Sequence, residues 1–262
     1  MDKVQVLVAT MNQKDHSLLQ KMNIHSDVLV GNQCDENKIE HFIYGNNKAS
    51  YYSFAEKGVG LNRNNLLMRA TGDICLFADD DMRYVDDYVN VVKETFRKCP
   101  DADVIVFNLI EKVPERYIIR KCARVRFYNY LRYGTARIAV RTKRIREEGI
   151  FFHLCYGGGT EHCHGEDNLF LTECLRHGLK IYAMPVYIAE LLEDRESTWN
   201  RKYDDSYLKD QGCLYYAISK KIWKLLCFQD AIRHTKLYHM PAICAYKKMT
   251  KKGQNKDKNE IC

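Results

Sequence analysis

The chain has 262 residues, 46% of them hydrophobic and 29% charged. That balance fits one large α/β domain with a small appendage, or two small domains, and excludes a chain that is disordered throughout. The formal net charge of +7 is concentrated from Arg116 to Arg146 and around Lys247, Lys248, Lys251 and Lys252; neither stretch carries a nucleic-acid motif, so a phosphate-bearing ligand or lipid headgroup is expected and nucleic acid is not.

Met1-Asp2-Lys3-Val4 leads directly into a strand-like pattern, without the segments of a signal peptide, and no apolar run is long enough to span a bilayer. A cytoplasmic protein is therefore expected. Val4, Val6 and Val8 lie in a short apolar run that reads as a buried strand. Leu18, Leu19 and Met22 share one face of a helix-compatible stretch. Residues 27–30 read as a second strand, residues 41–44 as a third, and residues 64–69 as helical. Further strands are expected over residues 73–78 and 103–107. Strands alternating with helices predict βαβ units and a mostly parallel sheet flanked by helices. Such sheets bind ligands beyond the carboxyl ends of their strands.

Farther along, Ile138 and Val140 suggest a strand, and Gly157-Gly158-Gly159 marks a loop. A helix is expected from Asp167 to about Cys174, ended by Gly178, and a short strand at Ile181-Tyr182-Ala183 before Pro185. Residues 203–246 have helical spacing, and the last dozen residues read as a frayed tail. Eleven cysteines without a CxxC pair indicate free thiols.

Asp79-Asp80-Asp81 follows the apolar strand at residues 73–78 directly. Three adjacent carboxylates repel one another and resist burial. They fit either a solvated turn or a site for a hard cation such as Mg²⁺ or Mn²⁺. Gly58-Val59-Gly60-Leu61-Asn62-Arg63 precedes a helix, where glycines permit close approach and the helix start favours anions. Gly165-Glu166-Asp167 puts two acids at another helix start, consistent with capping or with a general base.

In order and spacing these pieces resemble the family 2 glycosyltransferases, inverting enzymes with the GT-A fold. The pieces are Val8-Ala9-Thr10, Asn32-Gln33-Cys34-Asp35, Gly60-Leu61-Asn62-Arg63-Asn64, Asp79-Asp80-Asp81 and Gly165-Glu166-Asp167. Gly178-Leu179-Lys180-Ile181-Tyr182 before Pro185 looks like the family's return strand, and Glu196-Ser197-Thr198-Trp199 is similar to a tetrapeptide of bacterial polysaccharide-synthesis members. One departure is Asn32-Gln33-Cys34-Asp35, where many members carry an Asp-Gly-Ser turn. The resemblance implies a GT-A catalytic domain over residues 1–200, a helical C-terminal extension over 201–250 and a basic tail over 251–262. It implies a nucleotide-sugar donor, a UDP-sugar, contacted by Thr10, Asp35, Arg63, Asp79 and Asp80. Asp81 would hold Mn²⁺ or Mg²⁺. Asp167 would be the general base with Glu166 beside it, and Trp199 and His164 would contact a saccharide or lipid-linked acceptor.

Three other readings fit parts of the sequence. His153, Cys155, His162, Cys163 and His164 crowd one segment but match no common structural zinc spacing. A sugar-nucleotide nucleotidyltransferase needs a glycine-rich loop after its first strand, and Met11-Asn12-Gln13-Lys14 is not one. A non-enzymatic polyanion-binding protein would leave the acids unexplained. Near the C-terminus, Ile222-Trp223, Leu225-Leu226 and Phe228 stand among Lys220, Lys221, Lys224 and Arg233. They fit either a packed helical appendage or a peripheral contact with the inner face of a membrane.

Overall fold

The computed structural model describes residues 2–113, 116–192 and 203–251. Strand β1 (Val4–Met11) is buried over seven of its eight residues. Val6 and Val8 face one hydrophobic layer and Leu7 the opposite one. An apolar run covered on both faces is what a central parallel strand requires. Beside β1 run β2 (Asp27–Gln33) and β5 (Ile74–Asp79), both parallel to it. Outside β2 lies β4 (Asn47–Phe54), parallel to β2, and then β3 (Lys38–Tyr44), antiparallel at the edge.

On the other side of β5 the order continues through β9 (Ile138–Arg141), β7 (Val104–Ile110), β10 (Ile181–Leu191) and β6 (Met82–Tyr84), with β8 (Ala123–Val125) also on β10. Strands β3, β6, β8 and β9 run against the other six. The sheet is thus mixed, with six of its ten described strands in one direction. β10 is longer than expected and passes through Pro185. Its pairing with β7 shifts register between Ala183 and Tyr187, around the residue that has no N–H to donate.

Helices cover both faces. Helix α1 (Ser17–Lys21) brings Leu18 and Leu19, and α3 (Tyr88–Lys98) brings Tyr88, Val92 and Phe96, onto Val6, Val8 and Leu76. On the opposite face α2 (Val59–Arg69), α4 (Thr142–Glu147) and α5 (Glu166–Arg176) bury Leu66, Leu67, Ile145, Phe170 and Leu171 against Leu7 and Phe77. Phe152 stacks on Phe170 at 4.4 Å, and Phe77 meets both rings edge-on. Each such buried ring contributes about 1.5–3 kcal/mol.

A third apolar cluster joins α6 (Asp205–Ile218), α7 (Trp223–Arg233) and α8 (Ala242–Thr250) to Tyr156 and Leu169. The helical spacing of residues 203–246 resolves into these three helices. Asp204 caps α6 by accepting from the Tyr207 N–H at 2.9 Å. Gly212 lets α6 touch α8; a Cβ there would lie 1.9 Å from the Met249 carbonyl. The cysteines among the described residues are all free thiols. No helix among the described residues is long and apolar enough to cross a membrane.

The basic stretch from Arg116 to Arg146 spends much of its charge internally. Arg146 donates to the carbonyls of Leu67, Met68 and Ala70 at the C-terminal end of α2. Arg144 pairs with Asp103, Glu147 and Glu148. Arg137 is buried and donates to the Phe107 carbonyl and Asn108. Arg124 and Arg132 lie over the rings of Tyr182 and Tyr117. These arginines act as struts, while Arg120, Lys121, Arg126 and Lys143 of the same stretch stay exposed.

Candidate active site

After β4 the chain crosses through α2 to β5, on the far side of β1. Strand order reverses between β1 and β5, and an open α/β sheet forms its ligand crevice at such a point. Thr10 lies near the carboxyl end of β1, and Asp79 ends β5 with Ala9 as its register partner. The Thr10 hydroxyl donates to Asp80 Oδ2 at 2.6 Å, and Gln13 Nε2 donates to Thr10 Oγ1 at 2.8 Å. Asn62 Nδ2 donates to the Gly31 carbonyl at 2.8 Å. A Cβ at Gly31 would sit 1.8 Å from Asn62 Oδ1, so glycine is needed for α2 to approach β2.

Arg63 is the hub. It projects from α2 and is only 4% exposed. Its Nη2 donates to Asp79 Oδ1 at 2.7 Å and its Nη1 to Glu166 Oε1 at 2.9 Å. The guanidinium also lies 5.5 Å from the Phe152 ring centroid. Burial disfavours its charge, but the two carboxylates outweigh that and raise its pKa further above the ordinary arginine value. The ends of β5 and α5, 87 residues apart in sequence at Asp79 and Glu166, are thereby joined through one cation.

Glu166 and Asp167 open α5, where the helix dipole favours acids. The preceding Gly165 takes φ +104°, and Gly157 takes φ +101°. A Cβ on Gly157 would meet Val59 at 2.6 Å and the Glu166 carboxyl at 2.8 Å, so the predicted glycine loop packs directly on this acid. Asp167 Oδ1 accepts from the Asn168 N–H at 2.7 Å and from Asn168 Nδ2 at 3.0 Å. Burial, then the adjacent Glu166 charge, pushes the Asp167 carboxyl well above the usual carboxylate range.

Asp81 lies in the turn between β5 and β6, and its carbonyl accepts from the Leu192 N–H at 2.7 Å. Burial first, then the charges of Asp79 and Asp80, push its carboxyl up to about 6, with Arg116 opposing. Among the described residues no cation forms an ion pair with it.

The network has two bonded parts, Thr10 with Asp80 and Arg63 with Asp79 and Glu166, which meet where Asp79 and Asp80 adjoin in the chain; Asp81 and Asp167 are the next residues along. Asp35 is exposed in the turn after β2, apart from that network. His164 is buried with both ring nitrogens engaged, Nε2 with Gln211 at 2.8 Å and Nδ1 with Cys163 at 3.2 Å, and its ring stacks on Tyr207. Asp210 accepts from the Cys163 N–H at 3.2 Å and bonds His162 Nδ1 at 3.1 Å. Cys163, His164 and Asp210 present ligand atoms within 4.8 Å of one another. Their bonds couple the loop before α5 to α6. Trp199 and the tetrapeptide it ends lie outside the described residues.

Gln13, Asn62 and Asn64, to which the sequence pattern assigns no role of their own, also bond here. Asn64 exchanges two 2.8 Å bonds with the Phe152 backbone. The signal was present: Asn62-Arg63-Asn64 is a polar run in a helix whose neighbours Leu66 and Leu67 are buried.

No protein-family model matches the chain, and no curated protein matches it in sequence. In structure it is similar to TarS of S. aureus. The 1-349 fragment in complex with UDP-GlcNAc superposes with a TM-score of 0.58 at 14% identity, covering 97% of this chain and 92% of that one. The same fragment in complex with UDP gives 0.58 at 13%, covering 97% and 91%. Against a longer TarS structure, also at TM-score 0.58 and 14% identity, the match covers 95% of this chain and 55% of that one. The chain therefore shares the TarS fold, a mixed sheet flanked by helices.

Proposed function

We propose that this protein is an inverting glycosyltransferase of the family 2, GT-A type, acting in polysaccharide assembly. It moves a sugar from a nucleoside-diphosphate donor, a UDP-sugar, to a hydroxyl of a saccharide or lipid-linked saccharide. The observation that carries this reading is the Arg63 bridge, which gathers Asp79 to Asp81 and Glu166-Asp167 at the strand ends where such a sheet binds ligands. The shared fold with TarS, crystallised with UDP-GlcNAc and UDP, supports a uridine nucleotide as donor.

Asp79 and the Thr10–Asp80 pair form the donor side. Asp81 offers hard carboxylate oxygens within an excess of negative charge, a donor set that suits Mn²⁺ or Mg²⁺. When bound, the ion stabilises charge on the departing diphosphate. Asp167 takes the proton of the acceptor hydroxyl. Its raised pKa matches a general base working near neutral pH. Glu166 is fixed by Arg63, which sets the direction of the α5 start and so of Asp167. Attack opposite the leaving diphosphate in one displacement inverts the anomeric carbon and needs no covalent nucleophile.

A screen of UDP-sugars for UDP release in the presence of Mn²⁺ or Mg²⁺ tests the proposal. Release from at least one donor, lost in Asp167→Asn when acceptor is present, is the expected result. Absence of release from every UDP-sugar with every acceptor class would overturn it.

A further inference from the structure

Both faces of α7 are rich in apolar side chains, with buried Asp230 on the inner one and exposed Gln229 on the outer, which an appendage helix packed on one side does not require. Its inner face, Trp223, Cys227, Asp230 and Ala231 at spacings of four, seven and eight, is buried in the third cluster. Its outer face carries Leu225 at 62% exposure, Phe228 at 51% and Ile232 at 53%, with Ile222 at 49% just before the helix. Spacings of three, three and four place these four on one side of the helix. A surface helix ordinarily shows polar residues there.

The surrounding charge has one sign. Lys220, Lys221, Lys224, Arg233 and Lys236 are all exposed. The one acid in the same span, Asp230, is buried and engaged by His234 Nδ1 at 2.8 Å and the Tyr238 hydroxyl at 2.5 Å. On a helical wheel Lys224 and Arg233 flank the apolar strip on opposite sides. The Lys224 ammonium lies 5.6 Å from the Trp223 ring centroid.

We infer that the outer face of α7 docks on a phospholipid surface bearing anionic headgroups. Four apolar side chains enter the headgroup–acyl boundary while the flanking cations meet the phosphates. Eleven residues rise only about 16 Å, so the helix lies in the interface plane and does not span it. A second copy of this chain fits poorly, since pairing two such faces sets like charges against each other. The inference stands apart from the transferase reading, because docking requires no donor, metal or turnover.

The test is sedimentation of the full chain with vesicles of phosphatidylcholine alone and of phosphatidylcholine mixed with phosphatidylglycerol, at low and high salt. Binding to the anionic vesicles, weakened by salt, is expected. Leu225→Glu with Ile232→Glu should weaken it by at least about tenfold, and Lys221→Glu with Lys224→Glu by a similar factor. These positions are exposed, so the circular dichroism spectrum and melting temperature should stay unchanged. Wild-type protein left in the supernatant with anionic vesicles at low salt would overturn the inference. So would equal binding by the Leu225→Glu/Ile232→Glu variant, or a concentration-dependent dimer abolished by those substitutions without vesicle binding.

Discussion

Arg63 holds Asp79 at 2.7 Å with one nitrogen and Glu166 at 2.9 Å with another, and it is almost completely buried between them. Removing the cation would leave Glu166, also buried, as an uncompensated charge. Arg63→Ala should therefore destabilise the protein by about 3–5 kcal/mol. For a chain of this size the melting temperature should fall by roughly 10 °C. Calorimetry checks this, and a fall of less than about 2 °C would mean that the bridge contributes little.

Asp167 is the candidate base. Asp167→Asn keeps the shape and should lower transfer by about 10²–10⁴-fold. UDP affinity should stay close to wild type. Because burial and Glu166 raise the Asp167 pKa, the wild-type rate should fall as pH drops through that raised value. A pH–rate profile with no acid limb near neutrality would count against the assignment.

Asp81 links function to stability. Its carboxyl binds a proton more tightly in the folded state, titrating near 6 where an unfolded aspartate titrates near 3.8. Its contribution is fully favourable below the unfolded value and is lost as pH rises through about 6. Asp81→Asn should accordingly raise stability above that pH, by up to about 3 kcal/mol, and leave it little changed near pH 4. Melting curves at pH 4 and pH 8 without added metal test the sign. A variant less stable than wild type at pH 8 would contradict it.

Gly157 has neither the φ nor the space for a side chain, and its nearest neighbours are Val59 and Glu166. Gly157→Ala should push Glu166 off Arg63, and transfer should fall at least about tenfold through misplacement of Asp167. The core should remain folded. Unchanged kinetics would show that the loop does not set the geometry of these acids.

The central strands and the acids at their ends were legible because each is a local pattern: an apolar run followed by charge. The inner strand β4 was passed over although Ala49, Tyr51 and Ser53 alternate inward. So was α3, despite the four-residue spacing of Tyr88, Val92 and Phe96. Both signals were available in the sequence. The Arg63 bridge was not, because its partners lie 16 and 103 residues away and only the crossover of α2 brings them together. The resemblance implies a donor contact for Arg63, and its guanidinium is engaged by the Asp79 and Glu166 carboxylates. The burial of His164 against Gln211 was equally invisible, since it depends on α6 docking beneath the loop before α5.

These acids are proposed to form a metal-dependent nucleotide-sugar site. Calorimetric titration of UDP into wild-type protein and Asp81→Asn, with and without MnCl₂, tests it most directly. Wild-type protein should bind UDP tightly only with Mn²⁺, and Asp81→Asn should weaken binding by at least about tenfold, the loss of one charge-assisted contact. Equal affinity in the two proteins, or no UDP binding by wild type at all, would contradict it.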